Sequence, residues 1–210
     1  MTNHDHVNFT DTHQIRLSQS SLEVLIVDNN SPFTSHLKEI VCDLGYSCDY
    51  KRYFEINLEE LGSEISPWFN KVILSGRRTG SSHINVTNST MVKYCYTRNI
   101  PILGICYGCQ IIALTLGGSL RRLEKPIKDF DQVTVKSDNA LVFGKRKLKV
   151  YKSHKFCVSK LPSCLDSVGE SHTCPNEILI HSKKPIFGTQ FHPEISGPDG
   201  RGILANFMAL

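Results

Sequence analysis

Three short apolar runs, each released into a turn, constrain the fold of this chain more than any other feature. They are LEVLIVD at 22–28, KVIL at 71–74 and PILGI at 101–105. Each is too short for a helix and too continuous for a strand with one wet face. Val/Ile/Leu runs of this length suit strands buried on both faces, and a sheet is covered on both faces when helices cross between parallel strands. The segments between them agree. Residues 33–44 place Phe33, Leu37, Ile40, Val41 and Leu44 on one side and end at Gly45, residues 89–98 read as a second helix, and residues 110–116 as a third, stopped by Gly117-Gly118. The expected class is therefore α/β, with a central, mostly parallel sheet flanked by helices.

The remaining elements are weaker. Residues 47–53 read as a strand, 58–65 as a short helix, 75–82 as a Gly/Ser-rich loop and 200–208 as a final helix. Between 119 and 190 the pattern turns strand-rich, with 132–135, 147–151, 177–181 and 186–191 as candidates, and additional antiparallel strands are expected in the sheet. Residues 1–20 are polar and aperiodic, so a flexible tail is expected there and one domain at 21–210.

A net charge of +4 over 210 residues is too mild to indicate nucleic acid, and no apolar run reaches the 18 residues or so that a membrane span needs. Eight cysteines without an export signal fit a reducing, cytoplasmic setting with free thiols. The sequons at Asn8, Asn85 and Asn88 are then chance matches.

Chemistry enters at Gly104-Ile105-Cys106-Tyr107-Gly108, between a strand and a helix. A G-x-C-x-G turn is sharp and uncrowded, and it lifts its apex residue to the carboxyl end of a parallel strand, where open α/β sheets hold ligands. The helix N-terminus favours thiolate at Cys106, and the Tyr107 N–H is directed at an oxyanion formed there. On this pattern alone, a structural cysteine in a tight turn stays open. A thiol that attacks acyl groups needs a base, and the base needs an orienting acceptor. FGTQFHPE at 187–194 supplies both: an apolar strand runs into His192, and Glu194 follows across a stiff proline.

GICYGCQ at 104–110 together with QFHPE at 190–194 resembles the class I glutamine amidotransferases over roughly residues 22–208. The resemblance implies a flavodoxin-like fold and a Cys106-His192-Glu194 triad that hydrolyses L-glutamine through a γ-glutamyl thioester. Gln110 matches a position that contacts substrate. Within the family, Tyr107, YKSH at 151–154 followed by Val158, and SHTCPNE at 171–177 look most like the glutaminase of GMP synthase. That likeness implies ammonia delivery to a separate ATP-pyrophosphatase subunit for amination of XMP, with ATP and Mg on the partner and no metal or organic cofactor on this chain. It also places Ser153 and His154 on a loop near the active site, with His154 as a candidate partner contact and an exposed loop histidine as the alternative; Arg77 and Arg78, by their charge, suit an acidic partner surface or a nucleotide phosphate, with solvated loop arginines as the alternative. VDNNSPFT at 27–34 instead resembles the glutaminases of anthranilate and aminodeoxychorismate synthases.

One loop departs from the family. Where Ser-Gly-Gly-Pro or Ser-Pro-Gly-Pro is usual, the chain has Ser75-Gly76-Arg77-Arg78, so Arg77 stands where a glycine N–H would supply the second oxyanion donor. If that position needs a glycine-like φ, Arg77 imposes strain or another loop path. This motivates a further reading, a non-catalytic regulatory relative with an impaired oxyanion loop. Cys109 completes a C-x-x-C with Cys106 and is expected to pack against the sheet as a small apolar residue.

Overall fold

A computed structural model describes residues 23–59, 67–79 and 82–210. The expected tail at 1–20, most of the expected helix at 58–65 and the end of the 75–82 loop lie outside these residues.

The apolar runs form strands as their composition requires. The parallel part contains β1 (Glu23–Asp28), β2 (Ser47–Arg52), β3 (Lys71–Leu74), β4 (Ile102–Ile105) and β9 (Ile186–Thr189). The antiparallel part contains β5 (Ser119–Val135), β6 (Lys147–Lys160), β7 (Leu165–Glu170) and β8 (Ile178–His181). The strands make one sheet in the order β2-β1-β3-β4-β9-β8-β7-β5-β6. Register in the parallel half is direct, with Val24 opposite Lys71, Val72 opposite Ile102 and Ile102 opposite Ile186.

Side-chain alternation along β1 shows why the runs had to be apolar throughout. Val24 and Ile26 pack on the side of helices α1 (Thr34–Asp43) and α4 (Gly197–Met208), while Leu25 and Val27 pack on the side of α2 (Ser82–Arg98) and α3 (Tyr107–Thr115). Full burial of each such side chain contributes about 1.5–3 kcal/mol, so every residue of β1, β3 and β4 facing a helix layer favours this arrangement.

Several boundaries differ from the sequence reading. Helix α2 begins at Ser82 rather than 89, because Ile84, Thr87 and Asn88 are buried one and two turns earlier. Strand β6 runs on to Lys160, and β5 starts at Ser119, so the pair forms a long antiparallel ribbon. Strand β7, which carries only Leu165 and Gly169 buried, had no apolar signature. The extension of β6 also corrects the placement of Ser153 and His154, which lie within a strand, opposite Lys128 and Ile127 of β5, and not in a loop.

Candidate active site

The turn after β4 sets Cys106 at φ 51°, ψ −98°, one of the few positive-φ residues other than glycine in the described chain. Holding a side chain there costs about 1–3 kcal/mol, and the surroundings leave no alternative. The Cys106 N–H donates to the Thr189 carbonyl at 2.7 Å, and the Cys106 carbonyl accepts from the Gln110 N–H at 3.1 Å. The flanking glycines are required by close approach: a Cβ on Gly104 would lie 2.4 Å from the Gly108 carbonyl carbon, and one on Gly108 2.4 Å from the Leu74 oxygen. Above the turn, the thiol faces the Ser153 carbonyl at 3.8 Å and receives Gln190 Nε2 at 3.8 Å.

The segment after β9 brings in the second group. His192 Nδ1 lies 2.8 Å from Glu194 Oε1, and since a carboxylate only accepts, Nδ1 carries the proton and Nε2 is left for the Cys106 sulfur. The ring is fixed on every side. Its backbone N–H donates to the Tyr151 carbonyl at 2.9 Å, its carbonyl accepts from Ser196 Oγ at 2.6 Å, and Phe33 meets it edge-on at 4.9 Å. Burial alone would lower the imidazole pKa, but the Glu194 carboxylate and the Cys106 sulfur outweigh it and hold it well above its ordinary value. Cys106, His192 and Glu194 are thus brought together from the carboxyl ends of neighbouring parallel strands, all nearly inaccessible to solvent.

Gly76 closes the third side. A Cβ there would sit 2.7 Å from His192 Cε1 and 3.4 Å from Ser31 Oγ, so only glycine lets the loop after β3 lie against the imidazole. The Ser75 and Arg78 N–H groups are used by the Val27 and Asn30 carbonyls. Neither the Gly76 nor the Arg77 N–H has an acceptor among the described residues. Arg77 is absent from the positive-φ residues, so the loop follows a path that needs no glycine there. Its guanidinium lies 4.3 Å from the Tyr107 ring centroid and donates to Asn85 Oδ1 at 3.3 Å, an atom that the Tyr107 hydroxyl also reaches at 2.8 Å. Tyr107 opens α3, so its N–H has no intrahelical acceptor. Arg78 is exposed beside it.

Gln110, one turn into α3, is buried and donates to the Phe156 carbonyl at 2.8 Å and Gln190 Oε1 at 3.1 Å. His154 is no exposed loop histidine. It is buried on β6, its Nδ1 donates to the Phe156 carbonyl at 2.9 Å, and its Nε2, itself buried, has no partner among the described residues. Burial, reinforced by the Lys152 and His192 cations, pulls its pKa down to about 4, so it is neutral at pH 7. Cys109 is fully buried with its sulfur against Gly188, and burial pushes its thiol well up, in keeping with the packing role expected of it.

Sequence reasoning missed the group that shapes the Gly76 loop. The Asn29 N–H donates to Ser75 Oγ at 2.9 Å, and Asn29 exchanges side-chain hydrogen bonds with Asn88. Asn88, visible in the sequence only as part of a sequon, is wholly buried and committed to this contact. Gln190, by contrast, lies inside the QFHPE stretch. Around Cys106 opens a cleft of about 530 Å³ lined by both arginines of the loop, Gln110, His154 and Lys155.

The family model described as glutamine amidotransferase class-I matches residues 25–210. A GMP synthase [glutamine-hydrolyzing] of Serratia proteamaculans is 29% identical over 195 residues, 88% of this chain and 36% of that protein. The Cronobacter sakazakii protein of the same name is 31% identical over 182 residues, 82% of this chain and 34% of its own length, so the chain spans about a third of these relatives. Among solved structures, a Thermoplasma acidophilum protein described as one subunit of a GMP synthase superposes with a TM-score of 0.79 at 28% identity, covering 90% of this chain and 93% of that one. A glutamine amidotransferase of Thermotoga maritima superposes with a TM-score of 0.69 at 22% identity, over 88% and 82% of the two chains.

Proposed function

The chain belongs to the class I glutamine amidotransferase family, and on that premise we propose that it is a glutaminase subunit that hydrolyses L-glutamine at Cys106 and passes the ammonia to a separate synthetase. Cys106 Sγ attacks the carboxamide carbon, and the charge that develops on oxygen is received by the Tyr107 N–H and the N–H groups of the Gly76-Arg77 loop. His192, protonated and steadied by Glu194, gives its proton to the departing amide nitrogen, so ammonia leaves and a γ-glutamyl thioester remains. Water then gives a proton to His192 and adds to the thioester, releasing glutamate and restoring the thiol.

The observation that carries this reading is the strained apex at Cys106, φ 51°, with the His192–Glu194 pair at 2.8 Å beside it. A structural cysteine does not call for that conformation. The similarity to GMP synthases, with one of the similar structures described as a separate subunit, favours XMP as the acceptor. The ammonia-consuming step, with its ATP and Mg, then resides on an ATP-pyrophosphatase partner.

The test is ammonia release from glutamine by wild type and Cys106→Ala, each alone and then mixed with an ATP-pyrophosphatase partner, ATP and XMP. Cys106-dependent release that rises in the mixture is expected. Release only with a chorismate-using partner reassigns the acceptor, and no release in any mixture leaves a non-catalytic relative.

A further inference from the structure

Helix α1 ends so tightly that the chain returns onto the last turn of the helix. The Gly45 N–H donates to the Cys42 carbonyl at 2.9 Å and the Tyr46 N–H to the Val41 carbonyl at 3.3 Å, with Gly45 at φ 89°. This is the paired bonding of a helix closed by a left-handed glycine. It leads directly into β2, where Cys48 lies opposite Val24 of β1. The return sets the Cys48 sulfur 3.7 Å from that of Cys42. Only a small side-chain movement separates this contact from the length of a disulfide bond, about 2.05 Å.

Among the eight cysteines these two stand apart. Cys95, Cys106, Cys109, Cys157 and Cys174 are buried, Cys164 and Cys48 are half-buried, and Cys42 is exposed. Cys157 and Cys174 also neighbour each other, but both are sealed from solvent in a small apolar cluster with Leu123. A dissolved oxidant therefore meets Cys42 first and finds a second thiol already in contact with it. Burial, reinforced by the hydrogen bond with Cys42, pushes the Cys48 thiol up to about 11, so Cys48 keeps its proton until Cys42 has reacted. A bond here would join two elements that need fastening. Strand β2 is an edge of the sheet, pairs with β1 alone, and is exposed or half-buried along its length. An edge strand held by one ladder opens more readily than the core strands beside it.

We propose that Cys42 and Cys48 are a reversible disulfide site, with a small-molecule disulfide as oxidant, that staples the edge strand β2 to α1. Cys42 gives up its proton and attacks one sulfur of the oxidant, which forms a mixed disulfide and expels one small thiol. Cys48 then gives up its proton and attacks the Cys42 sulfur, which forms the internal bridge and expels the second small thiol. Two electrons and two protons pass from the protein dithiol to the oxidant, and an excess of reducing thiol reverses the exchange. The triad takes no part, so the proposal does not depend on the glutaminase reading.

The test incubates the full chain with oxidised glutathione, alkylates the remaining thiols and digests with trypsin. No Lys or Arg lies between Lys38 and Lys51, so both cysteines leave in one peptide, residues 39–51. That peptide is expected unalkylated and two hydrogens lighter than its dithiol form, with dithiothreitol restoring both thiols. In Cys48→Ser the exchange should stop with glutathione on Cys42. Bridged wild type should melt higher than the reduced protein by about 3–8 °C, a gain absent from Cys48→Ser. Alkylation of both cysteines, glutathione retained on Cys42 of wild type, or a bridge formed instead between two chains or at Cys157 and Cys174 overturns the site. A complete bridge that leaves the melting temperature unchanged overturns the staple.

Discussion

At the scale of single residues, the site depends on what is missing from side chains as much as on what they carry. Gly76 is the sharpest case, since an added Cβ would come within 2.7 Å of His192 Cε1. That is closer than real Cβ contacts come, and the ring, held by Glu194, Phe33 and the Tyr151 carbonyl, has nowhere easy to go. Gly76→Ala should therefore lower kcat/KM by on the order of 10- to 100-fold through misplacement of the imidazole, with a loss of stability of about 1–3 kcal/mol from the overpacked contact. Gly202 on α4, where a Cβ meets nothing within 4 Å, is the control. Gly202→Ala should leave activity unchanged and add about 0.5–1 kcal/mol of helix stability. Equal activities for Gly76→Ala and wild type would refute the contact as a constraint. The Cys106, His192 and Glu194 positions were legible because each sits in a short local motif. The need for glycine at 76 was not, because it is set by the approach of two loops distant in sequence.

At the scale of elements, the same divide separates the two halves of the sheet. Strands β1, β3 and β4 announce themselves because both faces are buried. Most of β5 pairs with β6 alone, its buried residues are only Leu123, Val133 and Val135, and a ribbon so solvated carries no apolar period to read. What fastens this ribbon to the site is Lys152, fully buried on β6. Its Nζ lies 2.6 Å from Asp131 on β5, 2.5 Å from Glu177 beyond β7 and 2.7 Å from Ser171 Oγ. Its neighbours face the chemistry directly, the Tyr151 carbonyl holding the His192 N–H and the Ser153 carbonyl meeting the Cys106 thiol. Burial holds the Glu177 carboxyl above its ordinary pKa despite Lys152, which marks a pair whose desolvation cost rivals its attraction. Lys152→Met should thus destabilise the fold by about 3–5 kcal/mol by leaving Glu177 unpaired, and adding Glu177→Met should recover most of the loss. Urea unfolding of both single variants and the double variant measures this coupling. Additive losses would mean that the pair does not act as a unit.

At the scale of the whole molecule, acid sensitivity should trace to the wall of the cleft. Burial and the neighbouring Lys152 and His192 cations hold His154 at about 4 in the folded state, against an ordinary value of 6.5. Between those values the unfolded chain binds a proton that the folded chain refuses, so stability falls as pH drops through this window, by up to about 3 kcal/mol. Burial also lowers His181, which adds to the fall. His192 acts in the opposite sense but elsewhere in pH. Its raised pKa contributes stability that is complete below about 6.5 and is lost only as pH rises through the folded value, so it is constant across the acid window. Asp131 and Asp199, whose lysine partners hold their carboxyls low against the effect of burial, lose their contribution only as pH falls below the ordinary carboxylate range. Unfolding free energy measured in urea should therefore decline between pH 6.5 and 4.5 in wild type and decline much less in His154→Gln. Parallel pH profiles for the two proteins would mean that His154 is not the group refusing the proton. A flattened profile would show that the buried, neutral His154 limits the stability of the fold in acid.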